Sequence, residues 1–426
     1  MLKDLGIKKL LTVAYITNQF PSAVEWYVAE EIRQLRRRRV HVIPCSARKV
    51  SGSPLPTDLE ELARETLCLE PIRWRSLLRA LFICLLRFHS IGDLVAAALL
   101  ESSESLMRRG RTLLHTWLGV YYGLLLRDRG IDHIHVHHGY YSSWIAMVAA
   151  RLLGIPFSMT LHGSDLLMQA AFMNTKLLEC EFCITVSEYN REHILAHYPS
   201  VDRNKVLVHR LGVEVPLLPS TTRASARTNQ IPVLLAVGRL HPLKNHIFLL
   251  QACFLLRECG VRFRCVIVGD GPERRKLDFL IHELGIADVV RMVGHVPHEN
   301  IGEYYESADL VVLTSLSEGV PLVLMEAMAR GKIVLAPAIT GIPELVESGK
   351  TGFLYAAGDL EQFVWQVEQI CKSRDALESV GWAARKHVLR HFEQQKNLEK
   401  FADVFVQRIA HGNRSYANEN LVLQQI

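Results

Sequence analysis

No D-x-D pair occurs anywhere in the 426 residues, so the compact acidic arrangement that would hold a divalent ion against a diphosphate is missing and no metal is expected. A hydrophobic run of spanning length is missing too. The longest apolar stretch, near Leu77 to Leu86, is interrupted by Arg79 and bounded by Arg87, well short of the roughly 20 residues a transmembrane helix needs. The opening segment MLKDLGIKKLLTVAYITNQF has no apolar core followed by small cleavage residues and runs into a strand pattern, so a secretory signal is not expected. Cysteines are neither dense nor regularly spaced. The nine of them (Cys45, Cys68, Cys84, Cys180, Cys183, Cys253, Cys259, Cys265 and Cys371) read as reduced thiols of a cytoplasmic protein. Cys180 and Cys183 form a C-x-x-C with no second pair and no nearby His ligands, which leaves a zinc site incomplete.

What is present is an ordinary globular balance, 49% hydrophobic and 22% charged residues, which excludes collagen-like, disordered and disulfide-scaffold classes. The length fits two domains of about 100–200 residues each. A net charge of +5 is small, but Arg36 to Arg39, Arg73 to Arg79 and Arg108 to Arg111 concentrate positive charge in the first third. Such clusters suit an anionic lipid surface, a phosphorylated substrate or nucleic acid, or are simply solvated helix faces. An anionic membrane surface is the expected macroscopic partner, and nucleic acid is not expected.

Strand and helix patterns alternate from the start: strand LLTVAYI, a loop through Asn18 to Ser22, a helix from Glu25 to Arg37 and strand VHVIP. Apolar residues at helical spacing fill Pro71 to Asp128, followed by strand IDHIHVHH, helix WIAMVAARLLG and strands PFSMTLHG and FCITVS. Alternation of this kind implies a parallel sheet with helices on its faces. PLLPSTTRASARTNQ then breaks the periodicity, and a second series runs from PVLLAVG through DLVVLT to helix LVLMEAMARG and strand IVLAPA. The expected domains are residues 1–214 and 231–390, with a linker over 215–230. Residues 391–426 are expected to hold a C-terminal helix, with crossing back to the first domain left open, and a frayed tail from His411. Two doubly wound sheets facing one another would put their carboxyl ends at a shared cleft.

The segment SLSEGVPLVLMEAMARGK carries Glu318 and Glu326 seven residues apart, with Gly319 and Pro321 at a strand-to-helix turn. Pro321 suits the first helical position, and the amides of the turn with the helix dipole can receive a phosphate. Taken alone, Glu318 could simply interact with the helix N-terminus while Glu326 stays solvated. In AVGRLHPLKN a strand ends at Gly238 and delivers Arg239 and Lys244 to the next loop. A guanidinium fork and a compact ammonium suit the oxygens of a diphosphate, although either could be a surface cation. The alternating His133, His135 and His137, with His138, do not converge as metal ligands from one strand face.

GRLHPLKN, FRCVIVGDGPERRKL, SEGVPLVLMEAMARGK with its E-x7-E spacing and AITGIPELVESGKTGFL occur in this order. Together they resemble the donor domain of retaining GT-B glycosyltransferases of family 4. HVHHGYYSSWIAMVAARLLGIPFSMTLHGSDL resembles the acceptor domain of that family's colanic-acid and exopolysaccharide branch. Asn245 stands where a glycine often follows the lysine, Arg210-Leu-Gly-Val-Glu replaces a more usual Asn-Gly-Val-Asp, and Asn18-Gln-Phe-Pro-Ser lacks the paired glycines of many members.

The resemblance implies an α/β GT-B fold of two Rossmann-like domains facing a central cleft. It also implies transfer, with retention, from a nucleoside-diphosphate sugar to a glycan or lipid-linked acceptor. Catalytic roles then fall on His162, Arg239, Lys244 and Glu318. Donor contacts fall on Gly238, Arg239, Lys244, Gly269, Gly294, Glu318, Gly319, Val320, Pro321, Leu322 and Glu326, the last meeting the ribose. Arg239 and Lys244 would stand in for a metal, no cofactor is implied, and the location is cytoplasmic with salt-sensitive peripheral attachment to the inner membrane face. The rivals are a sugar-nucleotide epimerase or hydrolase of the same architecture and a non-catalytic membrane-associated scaffold. A nicotinamide oxidoreductase is disfavoured because Gly269-Asp-Gly271 continues to Arg274 without a third glycine.

Overall fold

The computed structural model describes residues 10–22, 25–48, 57–70, 73–100, 104–167, 171–217, 231–373 and 376–423. These divide into two compact units: the first takes residues up to Val186, Asn190–His209 and those from Leu398, the second Ser187–Tyr189 and Arg210–Asn397. The chain thus changes unit at His209 and again at Asn397, whereas residues 218–230 of the expected linker lie outside the described residues.

The first sheet contains β1 (Thr12–Gln19), β2 (His41–Arg48), β3 (Leu67–Cys68), β4 (His133–His137), β5 (Phe157–Leu161), β6 (Phe182–Thr185) and β7 (Val206–Val208). All pairs are parallel in the order β3-β2-β1-β4-β5-β6-β7. Every residue of β4 and β5 is buried, as both faces of a parallel sheet must be when helices cover them. Asn18 and Gln19, expected in a loop, instead continue β1, because the ladder extends to Gln19 opposite Arg48. The helical stretch expected over Pro71 to Asp128 resolves into helices Trp74–Leu86, Phe88–Leu100 and Leu106–Leu126.

The second sheet contains β8 (Val233–Val237), β9 (Arg264–Val268), β10 (Val290–Gly294), β11 (Leu310–Val312), β12 (Ile333–Pro337) and β13 (Phe353–Tyr355), parallel in the order β10-β9-β8-β11-β12-β13. In each sheet the strand order reverses once, between β1 and β4 and between β8 and β11. Ligands of open α/β sheets bind outside the carboxyl ends of strands at such a reversal. The loops after β8 and β11, and those after β1, β4 and β5, are therefore the positions to inspect.

Helix Gln394–Leu423 runs on through the segment from His411 that was expected as a tail. The segment contains no proline, and Gly412 is its one strong helix breaker. From Leu398 onward this helix buries Phe401, Phe405 and Ile409 in the first unit.

Candidate active site

Three glycines named from the sequence, Gly238, Gly269 and Gly294, form one layer across the ends of β8, β9 and β10. The Gly238 amide donates to Val268 O at 3.0 Å and the Gly269 amide to Gly294 O at 2.8 Å. Gly269 has φ +145°, and a Cβ there would lie 1.9 Å from Gly238 O, so a side chain would force the strand ends apart. Arg239 follows, exposed. A short 3-10 turn, Pro242–Lys244, then swings Lys244 back, and Asn245 leaves it with φ +50°. That left-handed conformation is where glycine serves best and asparagine next, which accounts for the departure from the family pattern at this position.

Across the reversal, the segment after β11 is tied to this loop by Leu316 N to Leu243 O at 2.8 Å and Thr314 Oγ1 to Lys244 O at 2.9 Å. Those bonds bring Lys244 Nζ within 2.5 Å of Glu318 Oε1, with the Glu318 side chain largely buried. Thr340 braces Glu318 from behind, its hydroxyl donating to Glu318 O at 2.5 Å. Gly341 presses against the turn so closely that a Cβ would sit 2.1 Å from Gly319 O.

The helix starts at Leu322, one residue later than expected. Pro321 is the residue before it, at ψ 120°, and having no N–H it leaves the amides of this turn to Gly319, Val320 and Leu322. Leu324, Met325, Ala327, Met328 and Ala329 are buried, yet Glu326 lies among them. Its carboxylate is not solvated: Tyr305 OH donates to Oε2 at 2.7 Å and His298 Nε2 approaches Oε1 at 3.1 Å. Burial pushes the Tyr305 phenol well above its ordinary range, so it remains a donor, and the bond to Glu326 raises the His298 imidazole. No spacing in the sequence marks Tyr305 or His298 as partners of Glu326.

In the first unit, His162 follows β5 and ends a buried relay. Glu31 Oε2 accepts from Tyr15 OH and lies 3.0 Å from His137 Nε2, while His137 Nδ1 lies 2.9 Å from His162 Nε2. A carboxylate only accepts, so His137 turns an Nε2–H to Glu31, and with its Nδ1 lone pair facing His162 it takes an Nε2–H from that ring. His162 is left with an unprotonated Nδ1. Burial, then the neighbouring His138 and His137, hold its imidazole well below the ordinary range and so neutral.

His138 is the opposite case. It bonds Glu25 Oε1 at 2.9 Å and faces Asp165 Oδ2 at 3.6 Å, and these carboxylates outweigh burial to raise it to about 10. Asp165 is depressed by the same pairing and accepts from the amides of Gly139, His162 and Gly163 at 2.8–3.0 Å. Sequence reasoning missed this cluster, although Glu31 on the buried face of helix Trp26–Arg37 beside Tyr27, Val28, Ile32 and Leu35 was a legible signal, since a carboxylate on an apolar stripe needs a partner. His133 and His135 commit their rings to Ser158 and Thr160 at 2.7–3.0 Å. Cys180 is buried, with its thiol pushed up to about 12 by desolvation.

The profile Glycosyltransferase Family 4 matches residues 24–216 and Glycosyl transferases group 1 matches residues 221–387. The chain is 35% identical over 199 residues to the putative colanic acid biosynthesis glycosyltransferase WcaL of Salmonella typhimurium. That match covers 45% of this chain and 48% of the relative, so it spans about half of that protein's length. It is 30% identical over 312 residues to D-inositol 3-phosphate glycosyltransferase 2 of Catenulispora acidiphila, covering 69% of this chain and 70% of that protein. The chain belongs to the glycosyl transferases group 1. Among solved structures, HepE of Anabaena in complex with UDP-glucose matches with a TM-score of 0.68 and 18% identity over 93% of this chain and 100% of that one, which gives this group 1 chain the GT-B fold. Within its second unit the group 1 site brings together Lys244 and Glu318 and seats Glu326 on Tyr305, while His162 belongs to the first unit.

Proposed function

We propose that this chain is a retaining glycosyltransferase that moves a sugar from a nucleoside-diphosphate sugar to a glycan or lipid-linked acceptor in polysaccharide biosynthesis. The observation that carries the reading is the 2.5 Å pair of Lys244 and Glu318 at the strand-order reversal, with Arg239 exposed on the same loop. Lys244, held in place by Glu318, with Arg239 and the amides after Glu318, would neutralise the charge that grows on the departing diphosphate, a contact stronger in the transition state than in the ground state. Glu318 would meet the transferred sugar and Glu326 the ribose. The bare Nδ1 of His162 would accept a hydrogen bond from a hydroxyl of the donor sugar or acceptor, and a phosphate oxygen of the leaving diphosphate would take the acceptor's one proton. No covalent glycosyl-enzyme is proposed, because both glutamates fall on one donor motif and do not flank the scissile bond.

The donor class is supported by the UDP-glucose bound in HepE, and the acceptor class by the colanic acid assignment of WcaL. Arg239 and Lys244 serve in place of a metal ion, and the protein works in the cytoplasm, attached peripherally to the anionic inner membrane face. The test is incubation with a panel of nucleotide-sugars and glycan or lipid-linked acceptors in excess chelator. Acceptor-dependent product with the donor's anomeric configuration is expected. Inverted product would overturn retention, activity lost to chelator and restored by magnesium would overturn metal independence, and an acceptor-independent epimer or free sugar would replace transfer with a rival reaction.

A further inference from the structure

Helix Trp74–Leu86 is apolar on both sides. Ala80 is buried, and Leu77, Ile83 and Cys84 pack against the first unit's core. The opposite stripe, Trp74, Leu78, Leu81, Phe82, Leu85 and Leu86, recurs at helical spacing and is exposed, Leu85 to 70%. Phe88 at the bend, and Leu99 and Leu100 at the far end of helix Phe88–Leu100, are exposed as well. A surface helix ordinarily turns polar residues outward, and a contiguous apolar face of this size marks a contact surface.

Its charge selects the partner. Arg73, Arg75, Arg79 and Arg87 are exposed along the stripe; Asp93 is the one carboxylate in residues 73–100, and it pairs with Arg151 at 2.6 Å. A second copy of the chain would bring two sets of arginines together with no compensating carboxylate. An anionic bilayer surface supplies both missing halves, phosphate for the guanidinium heads and an acyl boundary for the stripe. Trp74, with the Arg75 guanidinium 5.3 Å over its ring, has the amphipathic character of a headgroup-level anchor.

We propose that this stripe inserts shallowly into an anionic bilayer, so that apolar contact, and not charge alone, holds the protein on the membrane. The inference deepens the peripheral attachment proposed above and rests on it. The helices lie in the interface and do not cross it: 13 residues make a helix of only about 20 Å, against a hydrocarbon core of about 30 Å, and the pair bends by 94°. Both are also pinned from below. Ala80, Ile91, Leu94 and Ala98 are buried, Trp117 Nε1 donates to Leu77 O at 3.1 Å, and Tyr121 OH accepts from the Arg73 amide at 3.3 Å.

The experiment floats the full-length protein with phosphatidylcholine vesicles, with and without phosphatidylglycerol, in 0.1 M and 1 M salt. The wild type should bind the anionic vesicles and stay bound in 1 M salt, where exposed charges are screened beyond about 3 Å. The double variant Phe82→Ser, Leu85→Ser should lose bound fraction about tenfold or more in 1 M salt, with an unchanged thermal midpoint because both side chains face outward. The Trp74 emission should shift to the blue on binding, and Trp74→Phe should abolish that shift. If binding vanishes in 1 M salt and ignores Phe82 and Leu85, attachment is electrostatic and this inference falls while peripheral attachment stands. If neither vesicle is bound, both fall. If the wild type sediments as a dimer that the double variant converts to monomer, the stripe is an interface between copies and the lipid assignment is overturned.

Discussion

Glu318 and Glu326 share one short motif but stand in different surroundings. Glu318 is held by Lys244 in the turn before the helix, whereas Glu326 is seated on Tyr305 and His298 within an apolar helix. A ribose contact is shared by ground and transition states, while a sugar contact that tightens during transfer is not. Glu318→Gln should therefore lower kcat and Glu326→Gln should raise KM for the donor, each about ten- to a hundred-fold for a hydrogen bond to a charged group. Steady-state kinetics with varied donor checks both, and the reverse split would exchange the roles. Glu31 acts at one remove. Glu31→Gln presents an amide that can also donate, so His137 need no longer keep its proton on Nε2 and His162 need no longer expose Nδ1. We expect the imidazole 15N shifts of His137 and His162 to move and kcat to fall about tenfold with donor KM unchanged, as loss of one oriented hydrogen bond to a charged group requires. Unmoved 15N shifts would show that Glu31 only packs. Of these residues the motifs alone identify Glu318, Glu326 and His162; Tyr15, Glu31 and His137 are brought together from positions up to 122 residues apart.

At the scale of the element, the end of β4 is fixed by His138, which reaches Glu25 at the start of helix Trp26–Arg37 and Asp165 in the turn after β5. The folded-state pKa of about 10 lies above the ordinary value of 6.5. The stabilisation is therefore full below about pH 6.5 and disappears as pH rises through about 10. His138→Gln should cost roughly 3–5 kcal/mol at pH 6, the usual loss when one partner of a buried pair is removed, and the difference should shrink steadily towards pH 10. Urea denaturation at several pH values measures it, and a gap independent of pH would mean that the pair is not ionised in the fold. Strand existence was readable wherever a buried strand is a continuous apolar run, as in β8 and β11. Boundaries were less readable, because whether Gln19 stays in β1 depends on Arg48 lying opposite it and not on local sequence.

For the whole molecule, the last helix belongs to the sequence of the second half but to the core of the first. Phe405 packs edge-on against His135 and Phe182, with ring centroids at 4.9 and 5.7 Å, and beside Tyr15 at 6.3 Å, and so supports the back of the buried relay. Phe405→Ala should destabilise the first unit by about 3–5 kcal/mol, and ending the chain at Asn397 should prevent that unit from folding; calorimetry of the two variants checks this, and an unchanged transition would refute it. The two alternating α/β halves, the glycine turns and the order of the donor motifs were legible before any packing was known, because each is a contiguous pattern whose chemistry depends on neighbours a few residues away. Tertiary packing was needed to learn that Lys244 meets Glu318, that Tyr305 holds Glu326, that three residues stand behind His162, and which apolar stripe of helix Trp74–Leu86 faces outward. Those facts depend on which strand lies beside which and on which face of a helix finds a core. Parallel crossovers set both by packing residues far apart in the chain.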